Sequence, residues 1–185
     1  MFTLTHNDTA RRSGPRGPSA ARFALACLCI AGMGCTNPLQ EGAIAELGPE
    51  SPAIPVGPLH RPGQPCLVCH DGAEATELSV AGTIHERADS TKPVPDVLVH
   101  LVDARGTAYV TATNCAGNFF VRPGDFSPQY PMRVAIERDG FRQEMESPVN
   151  GEGSCAACHT SEPGPRSAGR VFLLSVAATL EDRCP

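Results

Sequence analysis

Glycine and proline recur so closely along this chain, eighteen of each in 185 residues, that long helices are disfavoured over most of its length. Glycine adds backbone entropy to a helix interior and proline removes an N–H, so both break it. What survives between them is a series of short runs, and the runs alternate. Val80, Gly82 and Ile84 alternate with Ala81, Thr83 and His85, and the turn-rich Ala88-Asp89-Ser90-Thr91-Lys92-Pro93 ends the run. Val97, Val99 and Leu101 alternate with Leu98, His100 and Val102, stopping at Asp103-Ala104-Arg105-Gly106. A period of two marks a strand with one face buried. Further strands are expected at 107–113, 118–122, 132–138 and 140–146, and Gly169-Arg170-Val171-Phe172-Leu173-Leu174 reads as a last one. Short strands at close spacing, with turn signals between them, predict a mainly β fold built as a small antiparallel β-sandwich. Aromatics are 5% of the residues and Trp is absent, so the core must rest on Val, Leu, Ile and Phe. The length allows one modest domain with appendages.

Four elements follow one another between residues 79 and 146: Ala81-Gly82-Thr83-Ile84, Pro93-Val94-Pro95-Asp96-Val97, Thr111-Ala112-Thr113 and Gly117-Asn118-Phe119-Phe120. In that order they resemble the carboxypeptidase regulatory-like, transthyretin-like β-sandwich module. The acidic residue usual before Gly-x-Phe is replaced by Asn114, and Cys115 is an oddity there. The resemblance implies a scaffold. Such modules are generally binding or spacer domains without catalysis, so no activity comes with it.

The N-terminus reads as an export signal. Arg11, Arg12, Arg16 and Arg22 precede an apolar run from Phe23 to Met33, the charge-then-apolar order of a secretory signal. Gly14 and Pro15 after Arg11-Arg12 favour an ordinary positive region over twin-arginine export. Two processing outcomes compete: ordinary cleavage near Gly32 or Gly34, and lipoprotein processing at Gly34-Cys35 with Cys35 lipidated. Ala31-Gly32-Met33-Gly34-Cys35 resembles a bacterial lipobox, with Gly32 in place of the usual branched residue. Export predicts a periplasmic, outer-membrane or cell-surface protein of a bacterium, held to the membrane if Cys35 carries lipid. No run of eighteen apolar residues suggests a conventional spanning helix. Loss of the signal leaves eleven basic against nineteen acidic side chains, a net of −8, where the whole chain has −5. An acidic surface argues against nucleic acid and favours a basic or mobile partner reached by electrostatic steering.

Export also changes the cysteine arithmetic. Cys27 and Cys29 leave with the signal and Cys35 is the lipid site, so six of nine remain. Four form two copies of one pentapeptide, Cys66-Leu67-Val68-Cys69-His70 and Cys155-Ala156-Ala157-Cys158-His159. Cys115 and Cys184 are left over, and in an oxidising compartment they read as one disulfide, although spacing alone does not bring them together.

C-x-x-C-H is the attachment pattern of haem c. Two thiols two residues apart add to the vinyl groups of one porphyrin, and the adjacent His lies beneath the iron. Cys66 and Cys69 are expected to hold one haem with His70 as proximal ligand, and Cys155 and Cys158 a second with His159. On these pentapeptides the chain resembles multihaem c-type cytochromes, which implies export unfolded, haem attachment by the cytochrome c maturation machinery, and redox proteins as partners. Two other readings exist. A C-x-x-C redox disulfide normally sits at a helix start in a βαβ fold, absent here. Two knuckles can make one Cys₄ zinc site, yet zinc has no need of a His after each, and exported free thiols oxidise. For the distal ligands the spare residues are His85 and His100 on strands, His60 before the first motif, and Met132 and Met145. Strand positions hold a ligand more rigidly, which orders His85 and His100 ahead of His60. No nucleophile motif or phosphate loop marks an enzyme.

The expected organisation is a signal over 1–35, a Pro-rich extended linker over 36–64, a first haem segment over 65–78, the sandwich over 79–150, a second haem segment over 151–168, and a final strand with tail over 169–185. The function expected is electron transfer through two haems c. A non-redox, cysteine-stapled or zinc-binding β-sandwich lipoprotein is the first alternative, and a small dihaem peroxidase or sensor the second.

Overall fold

Alternation along the chain is visible in what several of its strands bury. The computed structural model describes residues 37–54, 56–175 and 177–184; the export signal and Cys35 lie outside the described residues. The chain divides into two units, Met1–Pro38 and Leu39–Pro185, and the fold below is that of the second. Strands β1 (Val80–Thr83), β2 (Leu98–Val102), β3 (Ala108–Ala112), β4 (Asn118–Val121), β5 (Arg133–Arg138) and β6 (Phe141–Glu144) form two antiparallel sheets. One pairs β1 with β4; the other has the order β3-β2-β5-β6. In β2, Val99 and Leu101 are buried while Leu98 and Val102 face out, as a period of two requires. Val80, Phe119 and Val121 of the first sheet share one core cluster with Val99, Leu101 and Ile136 of the second, so the protein is mainly β with both sheets on a common core.

Two residues set the turns on either side of β3. Gly117, at φ +71°, turns the β3–β4 connection so that its carbonyl accepts from Ile84 N–H at 2.8 Å. A side chain there would lie 2.5 Å from the Ile84 carbonyl oxygen, so only glycine fits. Asp103 closes the β2–β3 hairpin, its carboxylate accepting from the backbone of Arg105, Thr107 and Gln129 and from the Arg105 guanidinium. Burial works to raise that carboxyl, but these donors outweigh it and hold its pKa at about 2.

In several places the structure departs from the pattern of the sequence. The stretch read as an extended linker begins with a helix, α1 (Pro38–Glu46), which buries none of its residues. With no apolar stripe it leaves no periodicity to detect. Beyond it the chain folds back: the Arg61 guanidinium donates to the carbonyls of Leu47 and Gly48, to Gln64, and to Glu50. Residues 71–78, in the first cysteine segment, form no helical turn; Asp71 instead accepts from Ala73 and Glu74 N–H. Residues 169–174 do not make a full strand. They lie beside residues 84–86, with His85 N–H donating to Val171 and Leu173 and Leu174 N–H to His85 and Glu86. The loop before them holds a small hairpin of β7 (Pro163–Gly164) and β8 (Ser167–Ala168).

Strand β1 is the largest correction. Its alternation places Ala81, Thr83 and His85 on a solvated face, yet every residue from Val80 to His85 is buried. A strand loses its wet face only when something else covers it, and the covering layer here includes both cysteine motifs. Among the described residues no helix is long and apolar enough to cross a membrane.

Candidate functional site

The two pentapeptides fold alike. Each enters from an extended residue, Pro65 or Ser154, into a short 3-10 turn, Cys66–Val68 or Cys155–Ala157. In the first, Cys69 and His70 N–H both donate to the Cys66 carbonyl; in the second, Cys158 and His159 do the same to Cys155. Side chains at i and i+3 of a 3-10 turn eclipse one another. The two thiols of each motif are thereby brought close to one another, with the histidine following directly.

The histidines are oriented by their second nitrogen. His70 Nδ1 lies 2.8 Å from the Thr76 carbonyl oxygen, and His159 Nδ1 lies 2.9 Å from that of Gly169. A carbonyl only accepts, so Nδ1 carries the proton in both rings and Nε2 keeps its lone pair. That tautomer is the one a metal-binding imidazole needs.

Each turn opens on its own cavity. A smaller one, of about 360 Å³, is lined by Cys66, Cys69 and His70, together with His60. A larger one, of about 1060 Å³, is lined by Cys155 and His159, together with His85; the exposed Cys158 is not part of its wall. Both volumes suit a cofactor rather than a solvent molecule. Leu47, Gln64 and Pro65 line both cavities, so the folded-back linker is the partition between them. Arg122 borders the smaller and Arg170 the larger.

The second turn is seated on β1. Ala81 N–H donates to the Gly153 carbonyl, and a side chain at Gly82 would lie 2.8 Å from both Cβ and Sγ of Cys155. Gly82 thus provides the seat for that cysteine. Burial pushes the Cys155 thiol up to about 12, with the nearby Cys66 sulfur adding to it, and burial also raises Cys66. All four motif thiols are free. A redox dithiol needs a depressed pKa, so raised values run against that chemistry. Among the described residues no three His, Cys, Asp or Glu side chains converge as a preformed metal site.

The remaining candidates separate. His60 stacks on His70 with ring centroids 5.8 Å apart, and its Nδ1 donates to the Gly57 carbonyl. His85 is 7% exposed, its Nδ1 has no partner, and its Nε2 faces Gly63, where a Cβ would lie 3.7 Å away. Burial, with Arg170 nearby, lowers its pKa despite the Thr91 backbone. His100 lines neither cavity; its Nε2 is buried 3.7 Å from a Glu137 carboxylate oxygen. Met132 lies in the core and Met145 is half-buried, and neither borders a cavity. Cys115 and Cys184 are joined by a disulfide, and Cys115 lines the larger cavity.

Sequence reasoning missed the residues that fix the His60 loop. Asn118 Nδ2 donates to the carbonyls of Pro58 and His60, and Asn114 Nδ2 donates to Pro58 at 2.7 Å. The Asn114 side-chain oxygen meanwhile accepts from Ala116 and Asn118 N–H. An acid at 114 could accept but not donate, so the departure of Asn114 from the module's usual acidic residue was the available signal. Comparison with known proteins gives no match: no family model, curated protein or solved structure is significantly similar to the chain.

Proposed function

We propose that this chain is an exported electron carrier with two covalently attached haems c, one at Cys66, Cys69 and His70 and one at Cys155, Cys158 and His159. The observation that carries the reading is the pairing of each C-x-x-C-H turn with its own cavity and one further histidine. The residues fit the group: thiols two residues apart for the thioethers, both on the wall of the smaller cavity and Cys155 on that of the larger, imidazoles with Nε2 free for iron, and Arg122 and Arg170 for the acidic substituents. When bound, haem c supplies a one-electron iron couple whose potential its axial ligands set. The chain's own part is to hold the two sites on either side of the Leu47–Gln64–Pro65 wall, close together.

The β scaffold, which resembles the transthyretin-like module, brings residues far apart in sequence to this one strand. Cys35 is the lipid anchor that keeps the carrier at a membrane outside the bacterial cytoplasm. The acidic mature chain steers basic redox partners toward it. The test is to produce the protein with a c-type maturation system and record its pyridine haemochrome spectrum after acid–acetone extraction. Two haems c per chain that resist extraction support the reading. Colourless protein contradicts it and leaves a cysteine-stapled β-sandwich.

A further inference from the structure

We propose that the distal ligands are His60 for the first haem and His85 for the second, and that His100 ligates neither; the assignment rests on the dihaem reading above.

Position in the cavities makes the first case. His60 borders the cavity of Cys66, Cys69 and His70, and His85 borders that of Cys155 and His159, while His100 borders neither. Ring chemistry makes the second. His60 Nδ1–H is committed to the Gly57 carbonyl, which leaves Nε2 as its ligating nitrogen, as in His70; the ring, which stacks on His70, turns edge-on to admit the iron. His85 keeps Nδ1 buried without a partner, as His100 does its Nε2, but only the His85 ring borders a cavity that a cofactor could fill. Its Nε2 lies near Gly63, where an added Cβ would sit 3.7 Å from it.

Backbone support makes the third. The segment 169–174 holds both ligands of the larger cavity. Its Gly169 carbonyl accepts from His159, its Val171 carbonyl accepts from His85 N–H, and its Leu173 N–H donates to the His85 carbonyl. In the smaller cavity Asn114 and Asn118 grip the loop that carries His60. Both distal residues are therefore held as firmly as the proximal ones. His100 instead sits mid-strand opposite Val110 and Ala135, with Glu137 as its charged neighbour.

The experiment uses full-length holoprotein carrying His60→Ala, His85→Ala or His100→Ala, with haems counted by intact mass and carbon monoxide uptake measured on reduced protein. The unaltered protein and His100→Ala should keep two low-spin haems and take up no carbon monoxide. His60→Ala and His85→Ala should each take up one equivalent per chain, and added imidazole should restore the low-spin spectrum, which a merely structural role would not allow. In a chain with Cys66→Ala and Cys69→Ala, His60→Ala should change nothing. If an alanine variant loses a haem, His60→Met and His85→Met replace it, each raising the potential of one haem only. The assignment is overturned if His100→Ala opens an iron, if His60→Ala or His85→Ala leaves both low-spin, if either Met variant leaves both potentials unchanged, or if the unaltered protein binds carbon monoxide. Absence of haem from the unaltered protein sinks the dihaem reading itself; two haems with the wrong pattern sink the assignment alone.

Discussion

Gly82 and Asn114 show how single positions carry the site. A methyl group at 82 would occupy the space of the Cys155 thiol. Gly82→Ala should cost about 1–3 kcal/mol through overpacking and shift the mass distribution from two attached haems toward one; an unchanged two-haem protein would remove Gly82 from this role. Asn114→Asp keeps the turn's acceptor but loses the donor to Pro58. A loss of about 1 kcal/mol in urea unfolding is expected, with faster amide exchange in residues 57–64. At this scale the two C-x-x-C-H turns were legible because the pattern is confined to five consecutive positions. The places of the spare histidines were not, because rank by strand rigidity put His85 and His100 together ahead of His60. Only the folded chain shows that His60 and His85 share cavities with the motifs and His100 does not.

Elements were legible where one face is wet and one dry. β2 shows that alternation, and its hairpin turn was marked by Asp103 and Gly106. α1 escaped notice because it buries nothing, and the burial of β1 escaped because its second face is covered by segments distant in sequence. The Asp103 turn gives a pH prediction with a definite sign. Its folded pKa, about 2, lies below the ordinary 3.8. The stability it contributes is therefore fully present above pH 4 and is lost as pH falls toward 2. In urea titrations from pH 6 to pH 2, Asp103→Asn should start less stable and lose less over the acid range. Parallel curves for the two proteins would show that the hairpin carboxylate does not titrate with folding.

Over the whole molecule, three distant parts of the chain are fastened around one core. The Cys115–Cys184 disulfide closes a separation of 69 residues and draws the C-terminal tail onto the β3–β4 turn. There Leu180 enters the core, and Arg183 reaches Asp139 and Asp96. Changing both cysteines to Ser should cost about 2–4 kcal/mol, read as a lowered thermal midpoint, and should loosen the wall of the larger cavity at Cys115 before that of the smaller. The cysteine count suggested this pair, but its meeting point depends on the route of the tail, which no local pattern encodes.

If each of the two turns takes a haem of its own, the intact mass of the protein shows it. Protein matured with c-type machinery should carry two haem masses. Cys66→Ala with Cys69→Ala should leave one, as should Cys155→Ala with Cys158→Ala, and the fourfold variant should carry none. An unaltered chain with no added mass, or pairwise variants that keep both haems, would contradict the account.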